Sequence, residues 1–147
     1  MLLLIADLPE KGFSPFLFLT LSFILAFLAI LFLQSGIDKL TDYKGNREWL
    51  NGHFANSPFK NMVGLLLGTL TLLEMAAGIT SAAGAVLVMV TFNLGWSIPG
   101  LLLSGVSFLA LFLGQRIAKD YPGAASLVPY YMVVVVGLAI LAFARAF

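Results

Sequence analysis

Glu74 stands in an apolar stretch, between Leu73 and Met75. A carboxyl at membrane depth is costly and turns toward the protein interior or a cavity. Chemically it offers a proton-linked site or a contact for a polar headgroup. Structurally it offers a carboxyl paired with a neighbouring helix, or hydrogen-bonded to Thr71 one turn earlier. Gln34, Ser35, Asp38 and Lys39 close the first long apolar run, and Ser35, Asp38 and Lys39 share a helical face by three- and four-residue spacing. Such a face makes a polar pocket for an anionic or quinone headgroup, or an ordinary helix end whose Asp and Lys reach to water. A third polar set is Gln115, Arg116, Lys119 and Asp120, in which Arg116 and Asp120 are spaced to pair along a helix. It reads as an anchor for Glu74 or for a partner subunit, or as a basic membrane boundary. The expected headgroup contacts, for a quinone or a lipid, are therefore Gln34, Ser35, Asp38, Lys39, Glu74 and Arg116.

Other chemistries are excluded by what the chain lacks. There are no cysteines, which removes disulfides, iron–sulfur clusters, thiolate metal sites and thiol relays. His53 is the only histidine; it cannot supply both axial ligands of a transmembrane haem and reads as a surface residue. No catalytic residue and no metal site is assigned, so the chain is not expected to be an enzyme on its own. A net charge of +1 leaves no polybasic face for nucleic acid.

The elements that position these residues follow from composition. Of the 147 residues, 61% are hydrophobic and 10% charged, against about 45–50% and about 25% in soluble domains. Residues 12–37, 75–115 and 121–144 contain no Asp, Glu, Lys or Arg. They do not alternate polar and apolar positions as barrel strands would, so they read as spanning helices, whose backbones satisfy their own hydrogen bonds in lipid. The expected fold is an all-α integral membrane protein in a single domain, a bundle of five short transmembrane helices near 14–40, 61–80, 82–98, 101–117 and 127–144.

A short amphiphilic lead-in is expected over Met1–Lys11, and the first helix reads as retained, not as a cleaved signal. Residues 41–60 form the largest polar segment, expected to lie on the membrane surface with its aromatics in the headgroup region, and Asn46 to cap a short helix ending near Gly52. Ser81–Gly84 reads as a tight turn, Gly95–Gly100 as a break at Pro99, and Pro122-Gly123 as a turn. Gly64-x-x-x-Gly68 matches the small-residue packing motif. The alternative is four helices, with Ala82–Ile117 as one kinked helix, but at about 1.5 Å per residue it would extend about 54 Å. No internal repeat is evident.

Orientation rests on the basic residues. In the five-helix reading, the side of the 41–60 loop holds Lys39, Lys44, Arg47, Lys60 and Arg145, against Lys11, Arg116 and Lys119 on the other. This puts the loop in the cytoplasm. The four-helix reading moves Arg116 and Lys119 to the loop's side. In the five-helix reading Glu74 should find Arg116, Gln115 or a nearby hydroxyl within hydrogen-bonding reach.

Two segments carry a family resemblance: Leu31-Phe32-Leu33-Gln34-Ser35-Gly36-Ile37-Asp38-Lys39-Leu40, and Leu113-Gly114-Gln115-Arg116-Ile117-Ala118-Lys119-Asp120-Tyr121 followed by Pro122-Gly123-Ala124-Ala125. On these the chain resembles the DoxX family of bacterial membrane proteins, in the form found in Bacteroidetes, over about residues 15–125. The resemblance implies a small helical bundle in the bacterial inner membrane, usually of four helices, in a family named after a subunit of thiosulfate:quinone oxidoreductase. The leading functional expectation is an accessory or structural subunit of a respiratory or other membrane oxidoreductase complex, without a redox centre of its own. The alternatives are a quinone- or lipid-binding membrane protein and a small-solute transporter coupled through Glu74. The expected partners are membrane lipids and either a membrane-protein subunit or a second copy of the chain.

Overall fold

The computed structural model describes residues 15–146, the side chain of Arg145 excepted. The lead-in expected over Met1–Lys11, and the Ser14 start of the first helix, lie outside the described residues. Those described hold five α-helices: α1 (Pro15–Thr41), α2 (Tyr43–His53), α3 (Val63–Thr91), α4 (Ser97–Ile117) and α5 (Tyr121–Ala146). The all-α membrane bundle is as expected. Four of the five helices, α1, α3, α4 and α5, are long and apolar enough to cross a membrane, and this corrects the expected five spans.

The correction has a local cause. The expected turn at Ser81–Gly84 does not form, and α3 runs unbroken for 29 residues. Its small residues serve close packing instead. A Cβ on Gly78 would lie 2.9 Å from the backbone N of Leu33 in α1, and one on Gly84 2.8 Å from the carbonyl oxygen of Trp96. Ser81 sits against Gly100 of α4, where a Cβ would come 2.9 Å from the Ser81 Cα. Gly64 and Gly68, the motif singled out in the sequence, face open space, with nothing within 4 Å. The bundle is tight at a different set of glycines.

The chain breaks at residues 92–96 instead. Phe92 takes a left-handed conformation (φ 51°), which ends α3. Asn93 accepts a hydrogen bond from the Gly95 N–H at 2.7 Å, and a 3-10 turn over Leu94–Trp96 leads into α4. Pro99 lies in the first turn of α4, where its missing N–H costs nothing. It therefore starts a helix and does not kink one, so the alternative of one bent Ala82–Ile117 helix is also corrected. Pro122-Gly123 behaves likewise: the Asp120 carboxylate accepts from the Gly123 N–H at 2.9 Å and caps α5, which begins at Tyr121 and not near 127. Asp42, not Asn46, caps α2 by accepting from the Gly45 N–H at 3.0 Å.

The four spans alternate in direction, as the close contacts of Gly36 with Met75, Gly78 with Leu33, Gly100 with Ser81 and Gly137 with Leu101 require. The α1 C-terminus, α2, the α3 N-terminus and the α4–α5 connection thus share one end of the bundle, here the near end. Residues 92–96 and the C-terminus of α5 share the far end. Phe18, Leu21, Leu25, Leu28 and Phe32 of α1 form the spine of the core, meeting Ala77 and Val88 of α3, Leu101 and Phe108 of α4, and Val134 and Leu141 of α5. The outward faces carry exposed Phe, Leu, Ile and Val, the surface that lipid covers.

Candidate functional site

The last two turns of α1 and the middle of α3 bring three of the expected residues together. Glu74 lies about 16 Å along α3 from Val63 at helical rise, on the face turned to α1. It is 1% exposed. The Lys39 ammonium stands 2.8 Å from Glu74 Oε2, and the Ser35 hydroxyl donates to Glu74 Oε1 at 3.1 Å. Lys39 also donates to Ser35 Oγ at 2.7 Å and reaches the Ser35 carbonyl oxygen at 3.3 Å. Spacing by four on one helix sets the Ser35–Lys39 contact. Gly36, between them, yields its side-chain space to Met75, which lets α3 close on this corner.

The other expected contacts go elsewhere. Gln34 and Asp38 are exposed on the outer faces of α1. Arg116 does not pair with Glu74; its guanidinium lies 4.7 Å over the ring of Tyr121. Gln115 turns to α2, its Oε1 at 2.8 Å from His53 Nε2. Of the partners expected for Glu74, the hydroxyl is the one found, together with Lys39. Thr71 bonds back to the Leu67 carbonyl at 2.7 Å and takes no part.

Lys39 also lines a cavity of about 280 Å³ at the near end, roofed by α2 and walled by α3 and α4. Each helix contributes one face at helical spacing: Asn46, Trp49, Leu50 and His53 with adjoining Phe54; Leu66, Thr69, Leu70 and Leu73; Ala110, Leu111, Gly114 and Gln115. The polar groups gather toward α2 and the tip of Lys39, and the leucines form the wall along the spans. The Trp49 and His53 rings stack at 4.6 Å between centroids, and Phe54 meets His53 edge-on at 5.2 Å. Asn46 ties the roof to α1, its amide donating to the Asp42 carbonyl at 2.8 Å and to that of Asp38 at 3.3 Å. Mostly apolar, with a few polar side chains, this is the lining an amphiphile requires.

Protein-family models, curated proteins and solved structures were compared with the chain, and none matches.

Sequence reasoning passed over His53 and Trp49 as site residues. The signal was present as a stripe, since Asn46, Trp49, Leu50 and His53 recur every three or four residues on one face of a short helix. What that face meets is set by contacts from 62 residues away, as in His53–Gln115. Among the described residues, no group of three His, Asp or Glu side chains gathers that would hold a metal ion.

Proposed function

We infer that the chain is a membrane-embedded binding protein for an amphiphile of the quinone or neutral-lipid class. The observation that carries this reading is the cavity beneath α2, with hydrogen-bonding groups at its roof and leucines along its wall. Its volume is near the lower end for ligand pockets, which begin at about 300 Å³. It suits a headgroup and the start of a tail, the remaining tail lying among lipid. Asn46, Gln115, His53 and Lys39 would meet the head, with the stacked Trp49–His53 pair as a flat surface for a ring. Both segments that resemble the DoxX family contribute to this corner: Ser35 and Lys39 from the first, Gly114 and Gln115 from the second.

The setting is a bacterial inner membrane with α2 on the cytoplasmic side. Among the described residues, Lys39, Lys44, Arg47, Lys60, Arg116 and Lys119 fall at the α2 end in the four-span topology, with Arg145 at the other, the asymmetry of cytoplasmic loops. Purification in mild detergent, organic extraction and mass spectrometry test the binding. A quinone or neutral lipid should be recovered near one per chain, and Gly114→Leu, which fills the cavity from α4, should lose it. Equal recovery from wild type and Gly114→Leu, or no amphiphile from either, refutes the reading.

A second reading, as an accessory subunit of a membrane oxidoreductase, uses the same site. Its support is the four-span count, which agrees with the pattern the resemblance implies. Its test is a stoichiometric partner on purification from native membranes; a chain recovered only alone refutes it.

A further inference from the structure

We propose that Glu74 sets the headgroup selectivity of this site, by cancelling the charge of Lys39 so that the cavity takes uncharged amphiphiles and rejects anionic ones. The inference rests on the binding function argued above and deepens it.

Lys39 is the one Lys, Arg, Asp or Glu among the residues lining the cavity. Left alone, an ammonium at this depth would recruit the anionic phospholipids that are plentiful in a bacterial leaflet. A site that must find a scarcer uncharged amphiphile gains specificity by removing that attraction. Glu74 does so from behind. It is not part of the cavity lining, is buried, and stands 2.8 Å from the Lys39 nitrogen. A phosphate reaching Lys39 would also meet the field of this carboxylate.

Neutralising Lys39 does not waste it as a donor. An ammonium has three N–H bonds. One donates to Ser35 Oγ at 2.7 Å and another makes a long contact with the Ser35 carbonyl at 3.3 Å, while Glu74 Oε2, 2.8 Å from the nitrogen, is an ion-pair partner and not a hydrogen-bond acceptor. The third N–H is therefore free of a hydrogen bond to Glu74 and available to a carbonyl or hydroxyl oxygen of an uncharged head. Ser35 holds both members of the pair, to Glu74 Oε1 at 3.1 Å and to Lys39, and fixes the ammonium at the cavity edge. The arrangement supplies a charge-assisted hydrogen bond without net charge.

The test uses two probes that differ only in the head: a monoacylglycerol and a lysophosphatidic acid with the same brominated acyl chain. Bromine quenches tryptophan on contact. Full-length protein carrying Trp96→Phe, in neutral detergent micelles, reports from Trp49 alone, with Gly114→Leu in the same background as the blank. The Glu74 carboxylate present, the monoacylglycerol should bind more tightly. Glu74→Gln should raise the affinity for the lysophosphatidic acid at least about tenfold, because an uncompensated, partly buried charge a few ångströms from a phosphate is worth more than that factor at an effective dielectric of about 20. The monoacylglycerol should change far less.

Lys39→Met/Glu74→Gln, which removes both charges and guards against a misfolded single variant, should return to the original preference. A preference for the anionic probe before any substitution overturns the proposal. So does a Glu74→Gln protein whose preference does not move, or a doubly substituted one that favours the anionic probe. If neither probe quenches Trp49 beyond the blank, the binding function itself fails and the proposal with it. If both bind but ignore Glu74, only the proposal fails.

Discussion

The Lys39–Glu74 pair should behave as a unit in stability, and the two positions should be far from additive. At 2.8 Å, the gross attraction of two unit charges at an effective dielectric of about 20 is roughly 6 kcal/mol. Glu74 is 1% and Lys39 15% exposed at the side chain, so taking both ions out of water costs several kcal/mol each and the net worth of the pair is small. Removing one partner is another matter, because it leaves the second charge buried and uncompensated. Lys39→Met alone should cost about 3–5 kcal/mol. Glu74→Gln alone should fall toward the lower part of that range, since the single amide oxygen can still accept from one of the two, Lys39 or Ser35. The double substitution Lys39→Met/Glu74→Gln leaves no charge and should cost only about 1 kcal/mol, so the coupling energy should exceed about 3 kcal/mol. Reversible unfolding by sodium dodecyl sulfate in mixed micelles, followed by circular dichroism, measures all four corners of the cycle. A double variant as unstable as the sum of the singles would show that the charges do not interact in the folded protein, and would remove the basis for joining Glu74 to the cavity.

Gly78→Ala should destabilise the bundle by about 1–3 kcal/mol, because its Cβ would press on the Leu33 backbone; Gly68→Ala, facing open space, should stay within about 0.5 kcal/mol in the same unfolding assay. Lys119 holds φ at 62° just past the end of α4, so Lys119→Gly should stabilise by about 1 kcal/mol; a loss of stability there would contradict the left-handed backbone. The chain has no cysteine of its own, so single cysteines report topology cleanly. Cysteines at positions 51 and 119 should react with an impermeant maleimide from one side of the membrane and a cysteine at 92 from the other, whereas the five-span arrangement would separate 51 from 119. His53→Ala should lower amphiphile recovery on purification, by removing the Gln115 contact and the Trp49 stack that hold the roof in place.

The membrane fold was legible because long uncharged runs leave few alternatives. The count of spans was harder, and the reason lies in residues 78–84. Glycine, serine and alanine are the vocabulary of a tight turn and also of a close helix crossing. Only the neighbours decide, and here Leu33, Trp96 and Gly100 approach closely enough that a larger residue would clash. In sequence Pro99 reads as a break and Pro122-Gly123 as a turn, yet both prolines sit in first helical turns. The capping that reveals this is local but subtle: Asn93 and Asp120 each accept from a backbone N–H just ahead. At the site, the burial of Glu74 and the polar face of Ser35 and Lys39 were each visible in sequence. Their meeting depended on pairing α1 with α3, and five spans favoured Arg116 as the partner instead. The roof of the cavity was least legible, because a short polar helix with one histidine carries no sign of what it covers.

If the chain binds an amphiphile as proposed, the leucine wall belongs to helices whose other faces meet acyl chains, and a ligand would reach the site within one leaflet without passing into water. Its binding constant is then a mole fraction and not a molarity. Diluting the membrane suspension with buffer should leave occupancy unchanged, while adding phospholipid should empty the site. For the cell, saturation would follow the ratio of amphiphile to phospholipid in the leaflet on the α2 side. Under the proposed function, occupancy of the protein would be a readout of membrane composition.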